Sequence, residues 1–168
     1  RYSVRDLGDG GATMTGFGGE LMTVERGRVP AQAPLALPAK LRPVVDLNVS
    51  PDAPCRQRIE ALAAQRVRLY EAIGQSGVVS RMRAPMHPVI AAELRQARAM
   101  LRSQIRWVME PELSALQPAH ASDVLAAADV VCSFESYRLL RDDLHLPADA
   151  AGRVMVTTLT AIFRQERP

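Results

Sequence analysis

Aromatic side chains are scarce in this sequence. Tyr2, Phe17, Tyr70, Trp107, Phe134, Tyr137 and Phe163 are the whole set among 168 residues. β-Sandwiches and barrels draw heavily on aromatic and β-branched residues, so the shortage favours helices built on Ala, Leu, Val and Met. Lysine is nearly missing: Lys40 stands beside 20 arginines, a skew that goes with a GC-rich genome and says little about function. Cys55 and Cys132 are the only cysteines, with no CxxC and no Cys/His cluster, so neither a zinc module nor a disulfide scaffold is expected. Cys132 sits in an apolar helical run and reads as a buried thiol, and such sparse cysteine fits a reducing, cytoplasmic compartment. The apolar runs are too short and interrupted to cross a bilayer, which excludes membrane insertion. An initiator Met is also lacking, and no signal-peptide pattern follows Arg1, so the chain reads as a fragment or one whose start is unseen.

What is present organises the chain in two unequal parts. Apolar residues make up 48% of it, which excludes a disordered chain and allows one domain with a real core. Of the 10 glycines and 12 prolines, thirteen lie in the first 54 positions. Residues 1–53 therefore read as a Gly/Pro-rich N-terminal segment, and residues 54–168 as a helical domain. Within the segment only Leu21 to Arg26 suits a short helix, and residues 30–54 read as extended linker.

The helical domain is legible from its periodicity. Ile59, Leu62, Ala63, Val67, Tyr70 and Ile73 predict a helix near 54–73, with Asp52 as N-cap and Gly74 as its stop. Residues 78–83 suit a short helix. A long helix follows from about 88 to 109, with Ile90, Leu94, Ala97, Leu101, Ile105 and Val108 as its buried stripe. Arg95, Arg98, Arg102 and Arg106 lie opposite and read as a solvated face. Ser122 is placed to cap a further helix to Arg141, and Pro147 to open a final one ending near Arg164. The expected fold class is all-α, an antiparallel helical bundle.

The last two helices carry more apolar surface than one-sided burial needs. They are either both central in the monomer, or packed on it with one face and on a second subunit with the other. The shortness of the chain favours the dimer. Val124, Ala128, Val131, Val154, Val156, Leu159, Ile162 and Phe163 are the candidate interface.

Several chemical sites fail on their residues. The Gly8–Ala12 and Gly16–Gly19 runs lack the Lys-Ser/Thr that a phosphate-cradling loop needs and read as flexible linker. Asp142, Asp143 and His145 have no further ligand at helical spacing and read as an interhelical turn, so no metal or cofactor is expected. No Ser/His/Asp or Cys/His arrangement suggests nucleophilic catalysis, so the chain does not read as an enzyme. Charge is unevenly spread: residues 56–106 carry 10 Arg against Glu60, Glu71 and Glu93, while residues 107–168 carry 5 Arg against 9 acids.

A family resemblance rests on three runs. These are Arg66-Val67-Arg68-Leu69-Tyr70-Glu71; Arg81-Met82-Arg83-Ala84-Pro85 with the Arg-rich helix after it; and Phe134-Glu135-Ser136-Tyr137-Arg138-Leu139-Leu140-Arg141-Asp142-Asp143-Leu144-His145-Leu146-Pro147 with the helix to Phe163. In this order, over roughly residues 54–164, they resemble the C-terminal domain of TetR/AcrR-type transcriptional regulators. The resemblance implies a DNA-binding regulator, in the simplest case a repressor. Its helical domain would bind a small, apolar effector and dimerise through a four-helix bundle of the last two helices. It implies operator DNA as a partner, read by a helix-turn-helix lying before this chain. Arg1-Tyr2 and Asp6-Leu7 resemble the tail of its recognition helix and the start of the next helix, which the Gly8–Gly19 stretch would make poorly. A pocket among the middle helices is implied, for which Tyr70, Met82, Met86, Met100, Trp107, Phe134, Tyr137 and Arg138 are the candidates, as bulky side chains with adaptable or polar ends. A helical-bundle enzyme and a plain dimeric interaction module are the rival readings.

Overall fold

A computed structural model describes residues 3–6, 12–15, 21–24, 45–50 and 52–164. The chain divides into two compact units, residues 1–35 and residues 36–168. In the first, β1 (Ser3–Asp6), β2 (Ala12–Thr15) and β3 (Leu21–Val24) form an antiparallel sheet in sequence order. Its register pairs Val4 with Met14 and Met14 with Met22. Two expectations are corrected here: Leu21 begins a strand instead of a short helix, and Asp6 ends a strand instead of leading into a helix. The segment is rich in β-branched residues and in glycine, and both disfavour helix. The linker readings at Gly8–Gly11 and Gly16–Gly19 lie outside the described residues.

The described residues of the second unit are all-α. Its helices are α1 (Cys55–Arg83), α2 (Pro88–Val108), α3 (Glu110–Ser114), α4 (Pro118–Val131), α5 (Phe134–Arg138) and α6 (Ala148–Arg164). A 3-10 turn, Ala84–Met86, joins α1 to α2, and a π-type turn, Leu139–Asp143, follows α5. α6 packs against α1 and α4, and α2 packs against the same two helices. The core gathers Ile59, Leu62 and Leu69 from α1, Ile105 and Val108 from α2, Leu125 and Ala128 from α4, and Met155 and Leu159 from α6. None of the described helices is long and apolar enough to cross a membrane.

α1 is two helices meeting at Gly74, whose backbone is non-helical at φ 41° and ψ −128°. The expected stop is therefore a kink, and the short helix expected over 78–83 is the far limb. Only glycine adopts that conformation readily. A Cβ on Gly74 would meet nothing within 4 Å, so Gly74→Ala acts through the backbone alone. It is expected to cost about 1–3 kcal/mol, read as a lowered midpoint in thermal unfolding. Gly77 serves a different purpose. A Cβ there would lie 2.9 Å from the Phe134 ring, so its absence lets α5 approach α1.

Other boundaries differ from the sequence reading for local reasons. Pro54, not Asp52, precedes α1, and its carbonyl accepts the Arg58 N–H at 3.1 Å. α4 begins at Pro118, four residues before Ser122, because proline is well suited to a first helical position. The helix expected to run on to Arg141 breaks at Cys132. The Ser133 hydroxyl accepts the Ser136 N–H at 3.1 Å and starts α5 anew. On α2 only Ile105 and Val108 of the expected stripe are fully buried, while Ile90, Leu94, Ala97 and Leu101 are half-buried.

Four candidate interface residues are buried within the chain itself. Val124, Ala128, Leu159 and Phe163 belong to the core of the chain itself and have almost no surface to offer a partner. Ala151, Met155, Leu159 and Phe163 recur every fourth residue and form one buried ridge of α6. Val131, Val156 and Ile162 are half-buried, and Val154 is exposed.

Candidate functional site

Four of the eight candidate pocket residues come together where the α1 kink meets α5. The Tyr70 ring packs edge-on against Phe134 with centroids 5.5 Å apart, and tilted against Tyr137 at the same separation. The Arg81 guanidinium lies 4.1 Å from the Phe134 ring centre, within cation–π range. The Tyr70 hydroxyl donates to the Cys132 carbonyl, and that of Tyr137 donates to Glu71 Oε1 at 2.6 Å. The buried tyrosines thus fill apolar space while their polar ends are satisfied.

Beside this aromatic cluster lies a cleft of about 260 Å³, lined by Tyr70, Glu71, Gly74, Gln75, Tyr137, Arg138, Arg141 and Asp142. Its charges are paired: Arg141 Nε lies 3.3 Å from Glu71, and Arg138 is bonded to Asp142. The kink at Gly74 forms one wall, and the π-type turn after α5 supplies Arg141 and Asp142. Both are departures from regular helix, and they bring side chains from separate turns to one place. The lining is more polar than the apolar effector expected from the sequence.

Burial sets the titration behaviour of the cluster. It pushes the Tyr70 hydroxyl well above the ordinary phenol value, against the pull of Arg66. Tyr137 is raised by burial and by the hydrogen bond and charge of Glu71. Burial also lifts the Cys132 thiol to about 12, so it stays protonated and is no nucleophile. Glu135 shows the opposite balance. Burial would raise it, but hydrogen bonds from Arg81 at 2.8 Å and Arg98 at 2.6 Å hold it below the usual carboxylate range.

The remaining candidates lie elsewhere. Met82 and Met86 are 70% and 73% exposed at the tip where α1 turns into α2, far too open to line a closed pocket. Met100 and Trp107 pack half-buried on the core from α2. Sequence reasoning missed Glu71, Gln75, Arg141 and Asp142 as lining residues. Glu71 and Arg141 belong to the very runs that carry the family resemblance, but helical spacing gives no reason to bring them face to face. A wider groove, about 630 Å³, runs between α1 and α6 over Ala64, Val67, Gly152 and Val156, and none of the eight candidates lines it. Among the described residues no group of three His, Cys, Asp or Glu side chains could hold a metal ion. Compared with protein-family models, with curated proteins and with solved structures, the chain matches none.

Proposed function

We propose that the helical unit is the effector-binding and dimerisation domain of a DNA-binding transcriptional regulator similar to the TetR/AcrR type, working in the cytoplasm as a homodimeric repressor. The observation that carries this reading is the apolar surface still uncovered on α4 and α6 after the core is complete. Val130 is 65% exposed and Val154 39%, with Val131, Val156 and Ile162 only half-buried nearby in sequence. A second copy covering these residues would form the four-helix bundle that the resemblance implies. The cleft at the Gly74 kink is where a small effector would act. A ligand that binds one setting of the kink better than another shifts the population between them, and through it the spacing of two DNA-reading heads. In this reading those heads are helix-turn-helix units supplied outside residues 1–168, and the operator has two half-sites.

Light scattering on the chain at tens of micromolar is expected to give twice its 18.4 kDa mass. The double variant Val130→Asp/Val154→Asp is expected to return a folded monomer. A wild-type chain that is strictly monomeric would sink the dimer. The regulator reading fails if the product of the complete gene shows no salt-dependent, sequence-selective binding to DNA near that gene.

A further inference from the structure

The hairpin made by the far limb of α1 and the first turns of α2 stands clear of the core. No residue from 78 to 104 is buried, whereas Gly77 and Ile105 on either side of that stretch are. Apolar side chains nevertheless gather at its tip. Met82, Met86 and Val89, at 70%, 73% and 71%, are the most exposed large apolar side chains among the described residues, and Val79 beside them is half-exposed. Charge of one sign surrounds them. Residues 77–98 hold Arg81, Arg83, Arg95 and Arg98 against Glu93 alone. One further acid, Glu135, arrives from α5, and its Oε1 accepts from Arg81 Nε at 2.8 Å and from Arg98 Nη2 at 2.6 Å. Arg83 and Arg95 form no ion pair with a described residue. A hollow of about 320 Å³ opens at the same tip, lined by Pro85 and Leu94 together with Arg81, Arg95, Arg98 and Glu135. A cluster of exposed apolar side chains rimmed by charge marks an interaction surface.

We propose that this tip rests on an anionic phospholipid surface, with its apolar side chains among the acyl chains and its arginines on lipid phosphates. The combination decides the partner. Arginines alone fit any polyanion, and apolar side chains alone fit any hydrophobic face. An anionic bilayer presents both, phosphates in one layer and hydrocarbon about 5–10 Å below it. A guanidinium bonds phosphate oxygens two at a time, and Arg98 spends only Nη2 on Glu135, so donors remain for a headgroup seated in the hollow. A protein partner fits less well. A specific protein–protein contact buries about 1,200 Å² or more, and a tip of four apolar side chains offers far less. A fluid bilayer takes up a few side chains without a matching surface, and flexible methionines suit such a medium. The chain lies on the bilayer and does not span it, in keeping with described helices that are not long and apolar enough to cross. This inference stands apart from the regulator reading, whose dimer surface is on α4 and α6.

Co-sedimentation of the 168-residue chain with vesicles is the test, one set of phosphatidylcholine alone and one with phosphatidylglycerol added at about a 7:3 ratio. The chain is expected to bind the mixed vesicles at least about tenfold more tightly than the neutral ones, and to lose that preference in about 0.5 M salt. Arg83→Gln/Arg95→Gln is expected to weaken binding about tenfold. Met82→Ser/Met86→Ser/Val89→Ser is expected to weaken it at least as much while keeping the wild-type circular dichroism, because all three side chains are exposed. Equal binding to both vesicles, or binding to neither, overturns the proposal. Unchanged binding by the serine variant overturns it too, since charge alone then holds the chain. Polyglutamate bound as tightly as the mixed vesicles assigns the tip to an acidic protein, and glycerol phosphate bound as tightly makes the hollow a small-anion site; either result rejects the lipid surface. A serine variant that turns a wild-type dimer into a monomer places the tip against a second copy and rejects it as well. Operator binding and a dimer through α4 and α6 do not depend on the vesicle results, so the two readings fail separately.

Discussion

Glu112→Ala is expected to destabilise the helical unit by about 3–5 kcal/mol, a large share of the stability of a domain this size. The cost does not come from the carboxylate, which is partly exposed at 17% of its side-chain surface. It comes from Arg58, which the variant leaves buried with its charge unopposed. Arg58 also donates to the Ala53 carbonyl through Nε at 2.8 Å and to the Val108 carbonyl through Nη1. It thus ties the start of α1 to the end of α2 and to α3, and these bonds keep the guanidinium from swinging out to water. Urea unfolding followed by circular dichroism measures the loss. A companion variant, Arg58→Met with Glu112→Leu, removes both charges and is expected to recover most of it. If Glu112→Ala costs less than about 1 kcal/mol, the pair behaves as a surface ion pair.

The same pair predicts a dependence on pH. Burial would raise the Glu112 carboxyl, but the hydrogen bond and charge of Arg58 outweigh it and hold the group below its ordinary value. Folding thus favours the deprotonated form. The contribution of Glu112 is complete above the ordinary glutamate pKa and disappears as the pH falls through the depressed one. Wild-type stability should therefore fall in acid, and Glu112→Ala, which lacks this carboxyl, should fall less.

Leu159→Asp is expected to leave the helical unit largely unfolded, costing more than about 4 kcal/mol. Leu159 is completely buried in the α6 ridge, with Met155 one turn before it and Phe163 one turn after. An aspartate there loses the apolar contacts and buries a charge with nothing to pair it. Val154→Asp, on the exposed side of the same helix, is the control and is expected to keep the wild-type helical signal. The comparison separates two meanings of apolar surface that the sequence alone leaves mixed. A Leu159→Asp chain that stays folded and loses only self-association would place that ridge against a second chain.

These variants also mark what was readable in one dimension. Helical periodicity is a local property, so Ile59, Leu62, Ala63, Ile105 and Val108 could be named as inward-facing without knowing what they face. The break at Gly74, which proved a kink and not a stop, and the start near Pro147 were equally local, being matters of backbone freedom and of a missing N–H. The π-type turn and the restart at Ser133 were not readable. Each depends on which hydrogen bond wins among several of similar worth, and packing decides that contest. The candidate site divides in the same way. Tyr70, Phe134 and Tyr137 stood out because large aromatics are rare in this chain. Glu71 and Arg141 are ordinary charged residues until they are seen 3.3 Å apart.

The sequence by itself determined that the larger part of the chain is helical and where its helices turn inward. It also determined that no described helix would span a membrane and that the Gly/Pro-rich beginning is a different kind of chain. Those properties follow from side-chain chemistry repeated along a few turns. The tertiary structure decided that the glycine-rich part carries strands, that Met82 and Met86 point out at a hairpin tip, and that the two buried arginines differ. Arg58 and Arg66 are eight residues apart on one helix, and nothing along the chain distinguishes them. Only the arrival of Glu112 from α3 at one, and of Gln104 from α2 at the other, makes the first a closed ion pair and the second a charge held, among the described residues, by neutral acceptors.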